Sequence, residues 1–286
     1  MTLPQGASAL IDAALAEDVG EGDFSTLWTV PGDERAKGII VAKATGVIAG
    51  SEVAYEVFRR VDPSLEVTVH AADGTIVWAG DGTAVMEVAG SARSILTAER
   101  TALNFLQRLS GIATLTRRYV DAVARTGARV IDTRKTTPGM RLLEKRAVLA
   151  GGGANHRVGL FDMVMIKDNH IAAAGGITAA VEAVRARNDR GLRVEVETTS
   201  LDEVRQALAA GADRIMFDNM DPDTMRQAVA LVAAAGEPRP ETEASGGITL
   251  ETIRAFAETG VDFISVGALT HSAPALDLSL RLHAAR

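Results

Sequence analysis

The sequence predicts an α/β protein in two parts: an α+β unit over roughly the first hundred residues, then a TIM-like barrel of repeated βα units. From Ala128 onward, apolar strand runs end in polar residues and are each followed by an amphipathic helix, a rhythm that implies a mainly parallel sheet. Before that point the β-type runs are short, separated by Gly-containing turns, and lack the rhythm. With 286 residues, 47% of them hydrophobic and 23% charged, the chain is long enough for a sizeable core and too apolar for extended disorder. A doubly wound open sheet is the alternative topology.

The elements follow in order. A helix is expected from Ala7 to Glu17, then β-type runs "GIIVAK", "GVIAG", "LEVTVH", "TIVWAG" and "TAVMEVAG", with turns at "ADG" and "GDG" and a further helix from Ser51 to Val61. "SILTAERTALNFLQRLSGIATLTRRYVDAVA" carries Leu103, Leu106 and Leu109 or Ile112 at helical spacing and bridges the two parts. The strands of the second part are "RVIDT", "MVMIKDN", "RVEVE", "RIMFDN", "ETEASGG" and "FISVGAL". Between them run helices such as "GITAAVEAVRAR", "SLDEVRQALAAGA", "DPDTMRQAVALVAAAG" and "TLETIRAFAETG", and Ser200 with Glu203 has the spacing of a capping box. These patterns give domains 1–110 and 111–286, with a C-terminal helix expected to join the first.

The formal net charge of -7 argues against a nucleic-acid or membrane-surface binder. From Arg93 to Lys167, however, 14 Lys and Arg stand against 5 Asp and Glu, so cations are gathered in one third of an acidic chain. Arg117, Arg118 and Arg125 read as solvated helix faces. No cysteine is present, which excludes disulfides, thiolate metal sites and a Cys nucleophile. The first residues lack a signal-peptide pattern and no run suits a membrane span, so a cytoplasmic protein is expected.

In α/β barrels the strand carboxyl ends build the active-site face. Here they carry Asp132, Thr133, Arg134 and Lys135; Lys167, Asp168, Asn169 and His170; Glu195 and Glu197; Asp218 and Asn219; Ser245, Gly246 and Gly247; and Gly267 with Thr270 and His271. Six polar strand ends in succession form a functional rim, where a single one would mean little. Arg134, Lys135, His156, Arg157 and Lys167 suit an anionic substrate, since Arg grips a carboxylate or phosphate through two bonds and Lys supplies a point charge. Glu197 and Asp218, with no Cys and no adjoining His, suit Mg²⁺ completed by substrate phosphates. Glu195 and Glu197 share a strand face by period-two alternation, an odd choice for a plain core. "SGGITLET" and "VGALTHS" could bring backbone N–H groups to a phosphate, the first at a helix start, whereas "GGGANHR" serves as a tight loop and candidate hinge. His70 reads as structural.

The blocks "TAERTALNFLQRLSGIAT", "DTRKTTPGMRLLEKRAVLAGGGANHRVGLFDMVMIKDNHI", "VEVE", "IMFDN", "EASGGIT" and "VGALTHS", in this order, resemble the quinolinate phosphoribosyltransferase family, also called carboxylating nicotinate-nucleotide pyrophosphorylase. The resemblance implies an N-terminal α/β sandwich, an incomplete barrel of the type II phosphoribosyltransferase fold, and a homodimer with shared active sites. It implies the conversion of quinolinate and 5-phosphoribosyl 1-diphosphate to nicotinate mononucleotide, diphosphate and carbon dioxide with Mg²⁺. By position, quinolinate falls to Arg134, His156, Arg157 and Lys167 with Thr133 nearby, and Arg100 reaches the neighbouring subunit's site. Lys135 and Lys167 meet the phosphoribosyl donor, and Glu197 and Asp218 meet the ribose or its metal. Ser245, Gly246, Gly247, Gly267, Ala268, Leu269, Thr270 and His271 fall on the 5-phosphate pocket. Lys135, Lys167, Glu197 and Asp218 are the catalytic set. Thr198, Thr199 and Phe217 depart from the family's usual pattern and bear on local packing or metal detail.

Three rivals stand beside this reading. Lys167 could form a Schiff base in a lyase, a relative could act on another aromatic acid without decarboxylation, or the scaffold could bind without catalysis.

Overall fold

The computed structural model describes residues 3–80 and 82–284; Asp81 of the predicted Gly-Asp-Gly turn lies outside them. The chain begins with α1 (Ala7–Val19), α2 (Phe24–Thr29), β1 (Arg35–Ala42), β2 (Gly46–Val47), α3 (Ser51–Val61), β3 (Glu66–Val69), β4 (Ile76–Val77), β5 (Ala84–Ser91) and α4 (Ala92–Ala122). There follow β6 (Arg129–Ile131), α5 (Arg141–Ala150), β7 (Val164–Ile166), α6 (Asp168–Ala174), α7 (Ile177–Arg185), β8 (Val194–Thr198), α8 (Leu201–Ala209) and β9 (Arg214–Asp218). The last elements are α9 (Pro222–Ala234), β10 (Glu241–Ser245), α10 (Ile253–Ala257), β11 (Phe263–Ser265), α11 (Ala268–His271) and β12 (Leu278–Ala284). By packing, Met1–Arg117, Thr136–Gly152 and Leu269–Arg286 form one unit, and Arg118–Lys135 with Gly153–Ala268 forms the other.

The first unit holds a four-stranded sheet in the order β12-β1-β5-β3, with β1 antiparallel to both neighbours. The expected C-terminal helix is a strand. β12 runs along β1 with Leu280 opposite Ile40, and the apolar positions Leu278, Leu280 and Leu282 alternate with Ser, Arg and His, a period of two that suits a strand rather than a helix. α5 also packs in this unit. α4 buries Ile95, Ala98, Ala102, Leu106, Leu109 and Ala113, a stripe at three- and four-residue spacing. Its Ser110 and Thr114 hydroxyls accept the N–H groups of Ala49 and Val47, which satisfies the backbone around β2. α3 starts where predicted, but its cap comes from elsewhere: the Asp73 carboxylate accepts Gly50 N–H, Ser51 N–H and the Ser51 hydroxyl. Gly151, expected to loosen a loop, is packed hard. A Cβ there would lie 2.4 Å from the Ala113 carbonyl oxygen, so glycine permits close approach to α4.

The second unit is built on a six-stranded parallel sheet in the order β6-β11-β10-β9-β8-β7. Neighbours are sequential from β7 to β11 and β6 closes onto β11, the order of a barrel, yet β6 and β7 are not paired with each other. The barrel is therefore incomplete, and the doubly wound alternative fails because the order contains no central reversal. The free edge of β6 is met by Ala154, which donates to the Val130 carbonyl and accepts from Asp132 N–H. One strand face, with Val196, Ile215, Phe217, Ala244 and Ile264, is buried along with Val204, Ala207, Met225, Ala228 and Ile253 of the helices. Phe217 is fully enclosed, and the Thr198 hydroxyl bonds the Met216 carbonyl, so both departures from the family pattern serve local packing. Ser200 caps α8, accepting Glu203 N–H at 3.3 Å, while the Glu203 carboxylate returns to Thr199, one residue before the box expected. Asp221 caps α9 ahead of Pro222.

Candidate active site

Sheet order sets the polar strand ends side by side. Running across the second unit they are Lys167 after β7, Glu197 on β8, Asp218 on β9, Ser245 to Gly247 at the end of β10, Gly267 after β11, and Thr133 to Lys135 after β6. Lys167 Nζ lies 2.8 Å from Glu197. Asp218 is held above the ordinary carboxylate value by burial and then by the charge of Glu197, which outweigh a bond from Asn219 and the charges of Lys167 and Lys135. Two carboxylates that repel at a strand end, with one lysine shared, form a donor set of the oxygen type that Mg²⁺ prefers. Arg157 is depressed by burial and by the charge of Arg134, so two guanidiniums lie close together. Arg157 is fixed by a bond to the Met163 carbonyl at 3.1 Å. At the carboxyl end of β10, Gly246 adopts φ +98°, and a Cβ there would meet Asn219 Oδ1 at 2.2 Å, so the turn admits only glycine.

Below this rim lies a second, dry layer. The register places Glu195 opposite Arg214 and Glu243 opposite Met216, which puts the alternate acidic residues of β8 and β10 on the same sheet face. Arg214 donates to Glu241 at 2.8 Å and to Glu243 at 3.1 Å, and its guanidinium covers the Phe263 ring at 4.2 Å. His156 is buried, with Nε2 at 3.1 Å from Glu195 and 3.3 Å from Glu243, in hydrogen-bond line with neither. Both Glu195 oxygens and Glu243 Oε1 are buried without a hydrogen bond from the described residues. Beside them the backbone is well tied, because the fully buried Asp132 accepts His156 N–H at 2.8 Å. The ligand atoms of His156, Glu195 and Glu243 lie within 4.8 Å of one another, but Arg214 already supplies a cation to this cluster.

Charge balance fixes the proton count of the layer. Burial alone would lower His156; the contacts with Glu195 and Glu243 reverse this and raise it to about 9. Yet Arg157 N–H lies 2.7 Å from Nδ1, which must then accept rather than carry a proton. Placing the extra proton on Glu195, which burial and the charge of Glu243 raise to about 7, keeps the same net charge and satisfies that contact. One extra proton is held by the His156–Glu195 pair, beside an ionised Glu243 and Arg214.

The remaining predicted residues belong to the first unit. Arg100 is exposed on α4, Leu269 and Thr270 are buried, and His271 is exposed with Nδ1 2.6 Å from the Ser272 hydroxyl. Arg117, Arg118 and Arg125 are exposed, as read. The helix expected directly after "SGG" begins only at Ile253 and has five residues; a turn at Thr249 to Thr252, closed by the Thr252 hydroxyl, precedes it. Any ligand there meets glycine backbone, not a helix end. Sequence reasoning missed Glu243 and Arg214 as site residues. The signal existed, since Glu241 and Glu243 repeat the alternation of Glu195 and Glu197.

An incomplete α/β barrel whose strand ends pair a cationic cluster with a carboxylate pair defines an enzyme that handles an anionic small molecule. The model of the quinolinate phosphoribosyl transferase C-terminal domain matches residues 112–281 and that of the N-terminal domain matches 23–110. The chain belongs to this family. It is 50% identical over 268 residues to the probable carboxylating nicotinate-nucleotide pyrophosphorylase of Synechocystis, covering 94% of this chain and 90% of that one. The Bacillus subtilis protein of the same description is 46% identical, with 95% and 91% covered. Among solved structures, NadC from Streptococcus pyogenes superposes with a TM-score of 0.94 at 43% identity, covering 100% and 99% of the two chains.

Proposed function

We propose that this chain transfers the phosphoribosyl group of 5-phosphoribosyl 1-diphosphate to quinolinate, releasing diphosphate and carbon dioxide and forming nicotinate mononucleotide for NAD synthesis. The observation that carries the reading is the pairing of Arg134 with Arg157 in the same strand-end row as the Lys167–Glu197 ion pair. Quinolinate bears two carboxylates, and two guanidiniums lying close together are suited to receive them. Held there with His156, Lys167 and Thr133, the ring nitrogen would be presented to the ribose C1, which converts a bimolecular encounter into a positioned one. Glu197 and Asp218 would stabilise positive charge developing on the sugar, and Lys135 would meet the departing diphosphate. Ser245, Gly246, Gly247, Gly267, Ala268, Leu269, Thr270 and His271 are assigned to the 5-phosphate. The carboxylate at C2 leaves as carbon dioxide once the ring nitrogen is positively charged, and the C2 electron pair takes a proton.

Mg²⁺ is the cofactor we assign to Glu197 and Asp218, where it would supply positive charge to the diphosphate. We also assign a homodimer, in which Arg100, exposed on α4, would reach the partner's site. No described helix is long and apolar enough to cross a membrane, and a cytoplasmic location completes the proposal.

Incubation with quinolinate, donor and Mg²⁺ is expected to yield diphosphate, carbon dioxide and nicotinate mononucleotide in equal amounts. Equal use of nicotinate in place of quinolinate would count against the substrate. Lys167→Ala is expected to lose turnover by roughly 100-fold or more, and near-normal activity would remove its role. Lys167 is engaged by Glu197 at 2.8 Å, which disfavours the Schiff-base rival.

A further inference from the structure

We infer that Glu144 and Arg108 are positioning residues that together hold the two chain segments flanking the donor-binding residues, the turn after Lys135 and the segment from Thr270 to Ala273. Glu144, near the start of α5, has no exposed surface. Its carboxylate accepts the Thr137 hydroxyl at 2.8 Å and Thr137 N–H at 3.2 Å. It also accepts Arg108 Nη2 at 3.0 Å and Nε at 3.3 Å. The remaining donors of Arg108 point to the Thr270 carbonyl and, at 3.1 Å, to the Ala273 carbonyl.

One half-buried ion pair thus ties α4 and α5 to two loops at once. A planar guanidinium can serve three acceptors in fixed directions, which a lysine ammonium cannot do with the same definition. The positions of the loops matter because of what they adjoin. Thr136 follows Lys135 directly, and the 270–273 segment carries Thr270 and His271, residues assigned above to the phosphoribosyl donor. Neither Glu144 nor Arg108 need touch a substrate for this; each acts through the backbone it fixes. A merely stabilising pair would have no reason to spend three of its bonds on loop carbonyls and a turn hydroxyl, since an apolar pair fills the same space without burying charge.

The inference rests on the reading of the enzyme as a phosphoribosyltransferase, so it is tested by kinetics and by a measurement that needs no activity. In Glu144→Gln the KM for the donor is expected to rise about 10-fold while that for quinolinate stays within about 2-fold. Arg108→Lys should retain more donor affinity than Arg108→Gln, and the double variant Arg108→Gln/Glu144→Gln should be no worse than the poorer single one. Independently, amide exchange at Thr137 and across 270–273 should accelerate in Glu144→Gln well before the sheet of β1 and β5 does. Thr137→Val, which removes one bond and leaves the core untouched, should show the same pattern weakly and serves if Glu144→Gln does not fold. Equal rises in both KM values, additive single effects, or unchanged exchange in the two loops would overturn the clamp. A wild-type protein that makes no nicotinate mononucleotide yet shows the loop-specific exchange would fault the enzyme reading and leave the clamp standing.

Discussion

Glu144 and Glu195 are both carboxylates without exposed surface, yet their surroundings differ. Glu144 collects four hydrogen bonds, two from Thr137 and two from Arg108. Glu195 collects no aligned one; it faces His156 at 3.1 Å and lies near a second carboxylate, Glu243. A buried anion with every lone pair satisfied contributes to a unique structure, while one left short of donors keeps its charge and proton negotiable. The first cluster therefore belongs to architecture and the second to the chemistry of an anionic ligand above it.

If that contrast is right, the greatest loss should follow from removing the cation of the second cluster. Arg214→Met leaves Glu243 without its guanidinium while Glu241 keeps Arg193, and a buried ion pair broken on one side typically costs about 3–5 kcal/mol. Chemical denaturation would register this as a lower midpoint at unchanged slope. A variant as stable as the parent would show that the layer adapts by taking up a proton instead.

Titration gives the next largest effect. The folded cluster holds a proton that the unfolded chain releases near the usual histidine value, because His156 is raised to about 9 despite its burial. A folded value above the unfolded one means that this stability is fully present below about pH 6.5 and is lost as pH rises through about 9, an amount on the order of 3 kcal/mol. Melting temperature measured from pH 6 to 10 should fall across that window, and His156→Gln should flatten the slope. A parent protein with constant stability over the window would contradict the proton assignment, whichever of His156 and Glu195 carries it.

Much of this was legible in the residues. The strands ending at Asp132, Lys167, Glu197, Asp218 and Ser245 announced themselves through apolar runs closed by polar groups, and the period-two pair Glu195 and Glu197 pointed to an inward face. What escaped had physical reasons. The C-terminal segment expected as a helix is β12, where Leu278, Leu280 and Leu282 alternate at the period of a strand. The incomplete closure depends on which strands find partners, and no local pattern reports that β6 and β7 do not pair. Arg108 lies 36 positions from Glu144 and 162 from Thr270, so their joint role exists only in three dimensions. Glu243 stood next to a conspicuous Gly-rich turn that drew attention from it.

The smallest effect discriminates best. Glu144→Gln and Glu195→Gln are the same chemical change at two fully buried sites. At Glu144 the amide oxygen keeps the place of Oε1 toward Arg108 while its NH2 meets Thr137 N–H, and the charge-assisted bonds are lost, so a cost of about 1–3 kcal/mol is expected. At Glu195 the amide replaces a group that already tends to hold a proton, and the repulsion from Glu243 that raises its carboxyl is removed. Stability there should be unchanged or slightly higher, while the KM for quinolinate rises because the face toward His156 is altered. Parallel denaturation and kinetics on the two variants decide the matter. If Glu195→Gln is destabilised as much as Glu144→Gln and binds quinolinate normally, both carboxylates are architectural and the distinction between the clusters fails.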